Sequence, residues 1–558
     1  MTGESLLTLE ELLPCVKGTD VFARGKIFFT MVATDSRQVK KQGLFVPLIG
    51  TAQDGHDYIP QALKKGATAV FIASSSYSER KDYYEQLAEK YPAVCFISVK
   101  NTLTALQQAA ALYVSHFPRL ARIGVTGSSG KTTTKEIAAA ILSRKYNVVT
   151  NEGNLNSETG LPLSVFKIRE EHEVGIFEMG MNRVGEMAEI ASVLKPQYAI
   201  ITNIGTAHIG ILGSREAIAE EKSQIFNYFT KESVAVIPAD DDFAQFLARK
   251  AKGEKIFFGE NVPTSTVRFV RDMGLDGTEF SIAGQKGVLK LPGMHNYRNM
   301  LAAIALAQSM GLSASEVIAG VSKLKAVFGR TEIRSGTYTI VQDCYNANPD
   351  SMEKAIGLIS SLETTKRKIL VLGDMLELGS GSKRAHSSIG TKAAKSGANA
   401  VVFIGNDMKS AFTAASKYDV KCKFTYCEGS DEKALLLNIN QNKKDFFEII
   451  DSPNKEHEKL QCLFQLLIYL CDLKTLFDFD KSKDKDNKDN ITLYKNLLRN
   501  VEFPLRLFNK EYDLDKKINI DELNAKVKPT PVIYKIKNSE FKNFFIFNYH
   551  NYLFVTTK

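Results

Sequence analysis

The chain is expected to fold as an α/β protein of several domains, each built on a mostly parallel sheet. Three observations carry that expectation. Short apolar runs recur from residue 43 to residue 404, separated by segments with helical spacing, as in strands covered on both faces. A glycine-rich turn, Gly124-Val-Thr-Gly-Ser-Ser-Gly-Lys-Thr-Thr-Thr134, falls between one such run and one such segment. At 558 residues the chain is also too long for a single core.

Taken in order, residues 1–115 alternate short strands (Gly43-Leu-Phe-Val-Pro-Leu48 and Ala69-Val-Phe-Ile72) with helices such as residues 58–65. Residues 116–325 open with a buried strand over 120–125, then the turn, then a helix over 132–143 whose apolar residues Ile137, Ala140 and Ile141 recur at helical spacing. Strands over 174–178, 198–202 and 233–237 follow. Residues 326–437 repeat the theme with strands over 368–372 and 400–404. Residues 438–558 break it. No glycine follows Gly429, although the chain holds 37. Lys, Asn and Asp make up roughly a third of this tail, a bias that disfavours packing. Lys481–Asn490 reads as a solvated linker, 458–479 as an amphipathic helix and 541–555 as an aromatic hairpin turning near 549–551.

Bulk composition narrows the class. A hydrophobic fraction of 44% and a charged fraction of 24% are those of a soluble globular protein. The net charge of +9 is mild for this length and suits anionic small substrates. No dense basic helix or RNA-binding signature points to nucleic acid. Seven cysteines without a C-x-x-C pair read as reduced thiols, and the first sixteen residues lack a basic-then-apolar pattern. The longest apolar run, 460–470, is too short to span a bilayer. A cytoplasmic protein without a membrane span, acting as a monomer, is the expected form.

The turn describes a loop shaped to hold the phosphates of ATP. Gly127 and Gly130 let the backbone bend and aim N–H groups at an anion, with Ser128, Ser129 and Thr133 beside them. Lys131 supplies a point charge to the outer phosphates, and the Thr132 hydroxyl is placed for Mg²⁺. Val125 stands where the general phosphate-loop pattern has glycine, leaving the tighter Thr-Gly-x-x-Gly-Lys-Thr form. Glu178 ends a strand, where a parallel sheet faces its ligands; it is a candidate Mg²⁺ ligand or else a helix-capping acid. His208 follows the next strand, as a site residue or a surface one. Lys222 lies between Ile218 and Phe226 on a helix. It either snorkels to water or points inward, with a pKa low enough to take up CO₂ as an anionic carbamate. In Gly293-Met-His-Asn-Tyr-Arg-Asn299, the residues His295, Asn296 and Asn299 either read a base edge or cap the helix that follows.

Together these residues resemble the Mur ligases, ATP-dependent amide-forming enzymes of peptidoglycan precursor synthesis, over roughly residues 30–430. The matching motifs are Thr34-Asp-Ser-Arg37, Asp54-Gly-His56, Thr126–Thr133, Asn151-Glu-Gly-Asn-Leu-Asn156, Glu178-Met-Gly180, Thr202-Asn-Ile-Gly-Thr-Ala-His208, Gly293–Asn296 and Gly329-Arg330. Tyr345-Asn-Ala-Asn-Pro-Asp-Ser351 and Gly373-Asp-Met-Leu-Glu-Leu-Gly379 point to the branch that joins D-alanyl-D-alanine to UDP-N-acetylmuramoyl-tripeptide. The resemblance implies three domains: an N-terminal UDP-substrate domain, a central ATPase domain and a C-terminal Rossmann-like domain. It implies that residues 127–133 hold ATP with Asn296, Arg330 and Asp343, and that Lys131, Glu178, His208, Lys222 and Arg330 serve catalysis. It further implies one Mg²⁺ on Thr132 and Glu178, and a second on His208 with carbamylated Lys222. Ser36 and Arg37 would lie near the UDP end, and Asn154 and Asn156 near the muramoyl peptide.

Two departures stand out. Gln342-Asp343-Cys344 replaces the family's paired aspartates, and the Lys-Gly-Ser-Arg-type loop expected past residue 437 is absent, so the third domain is expected to lack closing elements. The competing functions are a non-catalytic ATP-binding protein whose tail recruits a partner, and a ligase of the same scaffold taking a different amine.

Overall fold

The structure, a computed structural model, describes residues 5–20, 29–50, 53–263, 265–324, 329–335, 339–364 and 366–427, together with three strands beyond residue 531. The chain divides into two compact units, Met1–Asn438 and Ile439–Lys558.

The first sheet of the larger unit has five strands, in the order Thr19–Asp20, Cys95–Val99, Ala67–Ala73, Gly43–Phe45, Met31–Ala33. Only Thr19–Asp20 runs antiparallel to its neighbour. The strand expected over 43–48 stops at Phe45, because Pro47 carries no N–H for a ladder. The helix expected over 58–65 is a 3₁₀ turn, Gly55–Tyr58, running into an α-helix, Ile59–Lys64, with Pro60 in its first turn. His56 is wholly buried here. Its Nε2 accepts from the Ala73 N–H at 3.0 Å and its Nδ1 lies 2.6 Å from Asp54, so both ring nitrogens are engaged in holding the turn.

The second sheet positions the site. Its six strands are all parallel, in the order Glu254–Phe258, Val234–Pro238, Tyr198–Ile201, Ala121–Thr126, Val174–Glu178, Val148–Thr150. Alternate residues serve opposite cores. Ile123, Val125, Ile176, Ile200 and Val236 pack on one face, and Phe177, Ala199, Ile201, Ala235 and Ile237 on the other. The chain enters at Ala121–Thr126, passes to the edge strand Val148–Thr150, returns to fill Val174–Glu178 between them, then crosses over to build outward on the other side from Tyr198–Ile201. Ala121–Thr126 is the topological switch point, and ligands bind at the carboxyl edge there. Register brings Val125 level with Glu178 and Thr126 level with Ile201, so three strand ends face one crevice. The helix Lys131–Leu142 buries Ile137, Ala138 and Ile141 against the sheet and packs on Met294–Ser309. A three-stranded antiparallel meander, Val267–Asp272, Thr278–Ile282 and Gln285–Leu289, adds to this part.

The third sheet is parallel and runs Ile369–Gly373, Ala400–Ile404, Lys423–Cys427, preceded by a hairpin of Glu332–Ser335 and Thr339–Gln342. Its helices Ser382–Ala394 and Met408–Ala415 meet at Gly390, where an added Cβ would strike the Ala411 backbone. Gly390→Val is therefore expected to destabilise this part by about 1–3 kcal/mol through overpacking. A urea melt of the full chain checks this through a lower midpoint with an unchanged slope.

In the smaller unit Val532–Tyr534, Phe544–Tyr549 and Tyr552–Thr557 form an antiparallel sheet, with Tyr549 paired to Tyr552. The pairing matches the hairpin expected over 541–555. The expected helix over 458–479 and linker over 481–490 lie outside the described residues.

Candidate active site

The glycine turn adopts the conformation its sequence predicts. Gly127 has φ +147° and Gly130 has φ +81°, and Gly130 precedes the helix Lys131–Leu142. The Thr202–Asn203 corner brackets the loop. The Thr202 hydroxyl donates to Ser129 O at 2.6 Å, Asn203 Oδ1 accepts from Ser129 N at 3.2 Å, and Ser128 N donates to Asn203 O at 3.0 Å. A Cβ on Gly127 would collide with Thr202 Oγ1, so the close approach itself requires glycine. Lys131 Nζ bends back to Gly127 O at 3.1 Å.

Glu178 is almost wholly buried and does not cap a helix. One oxygen accepts from the Thr132 hydroxyl at 2.6 Å and the other from Asn156 Nδ2 at 2.7 Å. Its backbone is held on both sides by Asn151, whose Oδ1 accepts from Glu178 N at 2.9 Å and whose Nδ2 donates to Glu178 O at 3.0 Å. Lys135 in turn donates to Asn151 O at 2.7 Å from a fully buried position. Glu178 is thus fixed from three directions at the mouth of the phosphate loop.

The region after residue 329 closes the far side. Arg330 donates to Thr132 Oγ1 at 3.1 Å, and its guanidinium lies 4.0 Å from the Tyr345 ring centroid. Asp343 accepts from Thr331 N at 3.2 Å. His208, at φ +65° in the left-handed region, places Nδ1 2.7 Å from Glu377 Oε2. The docking is tight: a Cβ on Gly210 would come within 2.5 Å of Glu377 O and Gly379 N.

A cavity of about 390 Å³ runs between these parts, lined by residues 128–133 and by Asn154, Asn156, Glu178, His208, His295, Asn296, Arg330, Asp343, Tyr345 and Lys354. Its electrostatics favour an anion. Lys131 touches the solvent of the cleft but is ringed by protein; this desolvation lowers its pKa, Arg330 adds to the effect, and Glu178 opposes it. Desolvation lowers His208 as well, helped by the charges of Lys222 and Lys131 and opposed by Glu377. His295 falls to about 4, from desolvation and then Lys354. Desolvation at the cleft wall raises Asp343, against the pull of Thr331 N and Arg330. Desolvation is the main cause throughout, and the repulsion among Lys131, Arg330, Lys222 and Lys354 adds to it at the cationic groups, an excess that a polyanion would relieve. A larger cleft of about 690 Å³ beside the edge strand Glu254–Phe258 holds none of these groups.

Comparison with known proteins agrees with this arrangement. Family profiles match residues 28–114 (Mur ligase family, catalytic domain), 125–307 (Mur ligase middle domain) and 329–444 (Mur ligase, glutamate ligase domain). The UDP-N-acetylmuramoyl-tripeptide–D-alanyl-D-alanine ligase of Treponema pallidum (strain Nichols) is 42% identical over 467 residues, covering 82% of this chain and 99% of that relative. The chain belongs to the Mur ligase family. The Bacillus subtilis (strain 168) ligase of the same name is 36% identical over 69% of this chain and 82% of its own length. Among solved structures, MurF from Acinetobacter baumannii superposes with a TM-score of 0.67 at 28% identity, over 78% of this chain and 92% of that one. MurF ligase from Thermotoga maritima in complex with ADP gives 0.58 at 25% identity, over 74% and 98%. The chain therefore has the three-domain α/β architecture of the Mur ligases, the three profiles together matching residues between 28 and 444.

Within that architecture most of the expected site residues meet in one place. Residues 128–133, Asn154, Asn156, Glu178, His208, Asn296, Arg330 and Asp343 all line the cavity. Asn296 donates its amide to Pro292 O at 2.9 Å rather than capping the helix end. Lys222 points inward and is wholly buried, with no hydrogen-bond partner for its Nζ among the described residues. Desolvation drives its pKa well below the lysine range, and Lys131 adds to this while Glu221 and Glu178 oppose it. Ser36 and Arg37 lie in the first domain, outside the cavity. The Ser36 hydroxyl donates to Gln61 Oε1 at 2.6 Å, and Arg37 pairs with Asp35 at 2.8 Å while staying largely exposed. Residue-by-residue reading missed Asn151, Asn203, Asp350, Lys354 and Glu377. All five lie in or next to stretches that carried the resemblance, so the signal was present without a role attached to it.

Proposed function

We propose that this Mur ligase joins the amine of D-alanyl-D-alanine to the terminal carboxylate of UDP-N-acetylmuramoyl-tripeptide, with ATP converted to ADP and phosphate, in peptidoglycan precursor synthesis in the cytoplasm. The observation that supports it most is the meeting, in one cavity, of a phosphate loop, the Thr132–Glu178 pair and Arg330 brought from the third domain. Among the described residues no helix is long and apolar enough to cross a membrane, which accords with soluble substrates.

The chemistry explains the residues. A carboxylate does not accept an amine at neutral pH, because its oxygen leaves poorly. Attack by that carboxylate on the γ-phosphate of ATP forms an acyl C–O–P link and expels ADP. The amine then attacks the acyl carbon, loses a proton, and phosphate departs. The first step brings two anions together, and Lys131 and Arg330 offset the repulsion and the charge that develops. Asn156 and Asn154 sit on the side of Glu178 facing the muramoyl peptide in this reading. Closure of the third domain, held by His208–Glu377 and by Asp350, would keep water from the acyl phosphate.

The donor set fits Mg²⁺. Among the described residues no group of three or more His, Cys, Asp or Glu forms a metal cage, and Mg²⁺ on a nucleotide asks for none, being held by one or two carboxylates plus phosphate oxygens. Thr132 and Glu178 would hold one ion, and His208 with a carbamylated Lys222 would hold a second. Bound Mg²⁺ would supply charge neutralisation at the phosphates.

Purified protein is expected to release phosphate from ATP only with both UDP-muramoyl-tripeptide and D-alanyl-D-alanine present. Release indifferent to the dipeptide would reject the proposal, and single amino acids replacing it would redirect the proposal to another amine.

A further inference from the structure

The helix Pro349–Ser361 belongs to the third domain, yet two of its side chains, one turn apart, reach the central domain's loops. Asp350 Oδ2 accepts from Thr206 N at 2.8 Å and from the Thr206 hydroxyl at 3.1 Å. A Cβ on Gly205 would run into that carboxylate, so the fit leaves no slack. Lys354 reaches the phosphate loop itself, its Nζ donating to Ser129 Oγ at 3.3 Å.

That bond is long and its acceptor is neutral. The Ser129 hydroxyl is itself turned toward Asn203 Oδ1 at 3.3 Å. No carboxylate lies within ion-pairing distance of Lys354 among the described residues, since Asp350 faces Thr206 and Glu353 pairs with Lys392. The side chain is open to the solvent of the cleft, so its ammonium is free to exchange solvent for a stronger anionic partner at the loop. Desolvation along the cleft wall lowers its proton affinity, with Arg298 adding and Asp350 and Glu353 opposing. The same ammonium lines the cavity that holds Lys131 and Arg330. Three cations around one phosphate loop outnumber the two carboxylates, Glu178 and Asp343, that line the same cavity.

We propose that Lys354 is a phosphate-binding residue for ATP, delivered to the loop by the third domain, and that Asp350 docks its helix at Thr206 so that the ammonium lands there. This rests on the ATP site of the proposed function and adds a second lysine to it. The unbranched ammonium acts as a point charge, so the sign of the side chain matters more than its shape.

The test is titration of the full chain, with Mg²⁺, against a fluorescent methylanthraniloyl-ATP. Lys354→Met is expected to weaken binding about tenfold, which is about 1.4 kcal/mol, with the thermal midpoint of the nucleotide-free protein unchanged. Lys354→Arg is expected to stay within about threefold of the original chain. Lys354→Met binding as tightly as the original chain, or Lys354→Arg losing as much as Lys354→Met, would overturn the proposal. The unaltered protein gives a readout that no folding defect can obscure. ATP should shield Lys354 from acetic anhydride in peptide mapping, and labelling undiminished by saturating ATP would overturn the proposal as well. Original chain that binds the analogue but releases no phosphate with both substrates would sink the ligase reading alone and leave the Lys354 comparison standing.

Discussion

Lys131→Met is expected to lower dipeptide-dependent phosphate release by about 10³-fold, the scale on which a single preorganised charge at a reacting centre acts. The side chain follows a left-handed Gly130 at a helix start, and among the described residues its ammonium has only Gly127 O, at 3.1 Å, as a hydrogen-bond partner. A neutral carbonyl is a weak partner for an ammonium in a desolvated cleft, so the lysine is held ready for a stronger anion. Methionine keeps the unbranched four-atom stem and removes the ammonium with its charge and its bond to Gly127 O. The loop is secured independently by Thr202 and Asn203, so the thermal midpoint should not fall. Arginine is not expected to restore the rate, because its planar fork fills more of a pocket already occupied by Arg330. Steady-state phosphate release with saturating substrates measures the effect, and a loss below tenfold would remove Lys131 from the reacting centre.

What could be read from the sequence follows the range of each interaction. The strand–loop–helix around residues 121–142 was legible because every cause is local: glycines where φ is positive, an apolar run before them and helical spacing after. Glu178 was legible as a strand-end residue, since parallel sheets bind ligands at that edge. Partners across domains were not. Arg330 meets Thr132 from 198 residues away, Glu377 meets His208 from 169, and Asp350 meets Thr206 from 144. The motifs named several of these residues, but no spacing rule pairs them. Lys135 has no place in the sequence reading at all. It is wholly buried, bound to Asn151 O and paired with Glu136 at 2.7 Å. Its role in holding Glu178 depends on a strand end that chain order does not reveal.

Lys222→Met is expected to lower activity by about 10²–10³-fold while raising stability, and the opposition of the two effects is what identifies a functional lysine. The amine is fully buried, has no hydrogen-bond partner among the described residues, and sits where Lys131 repels a second positive charge. A structural role would give it a partner, and the described residues supply none. Because desolvation sets its folded pKa well below 10.5, the unfolded chain binds the extra proton. The lysine therefore destabilises the fold most at pH values below its lowered pKa. That penalty shrinks as pH rises through the window up to 10.5, above which both states are neutral and it is gone. The methionine variant should accordingly melt a few degrees higher near neutral pH, with the gain closing toward pH 10.5. A neutral buried amine is also the form that attacks CO₂, giving a carbamate whose charge is opposite to that of the lysine it replaces. Activity of the unaltered protein should then fall in bicarbonate-free buffer and return on adding bicarbonate, and small carboxylates should partly restore a Lys222→Ala variant by standing in for the lost anion. Activity indifferent to bicarbonate, together with a methionine variant that melts lower than the original chain, would make Lys222 a packing residue whose partner lies elsewhere.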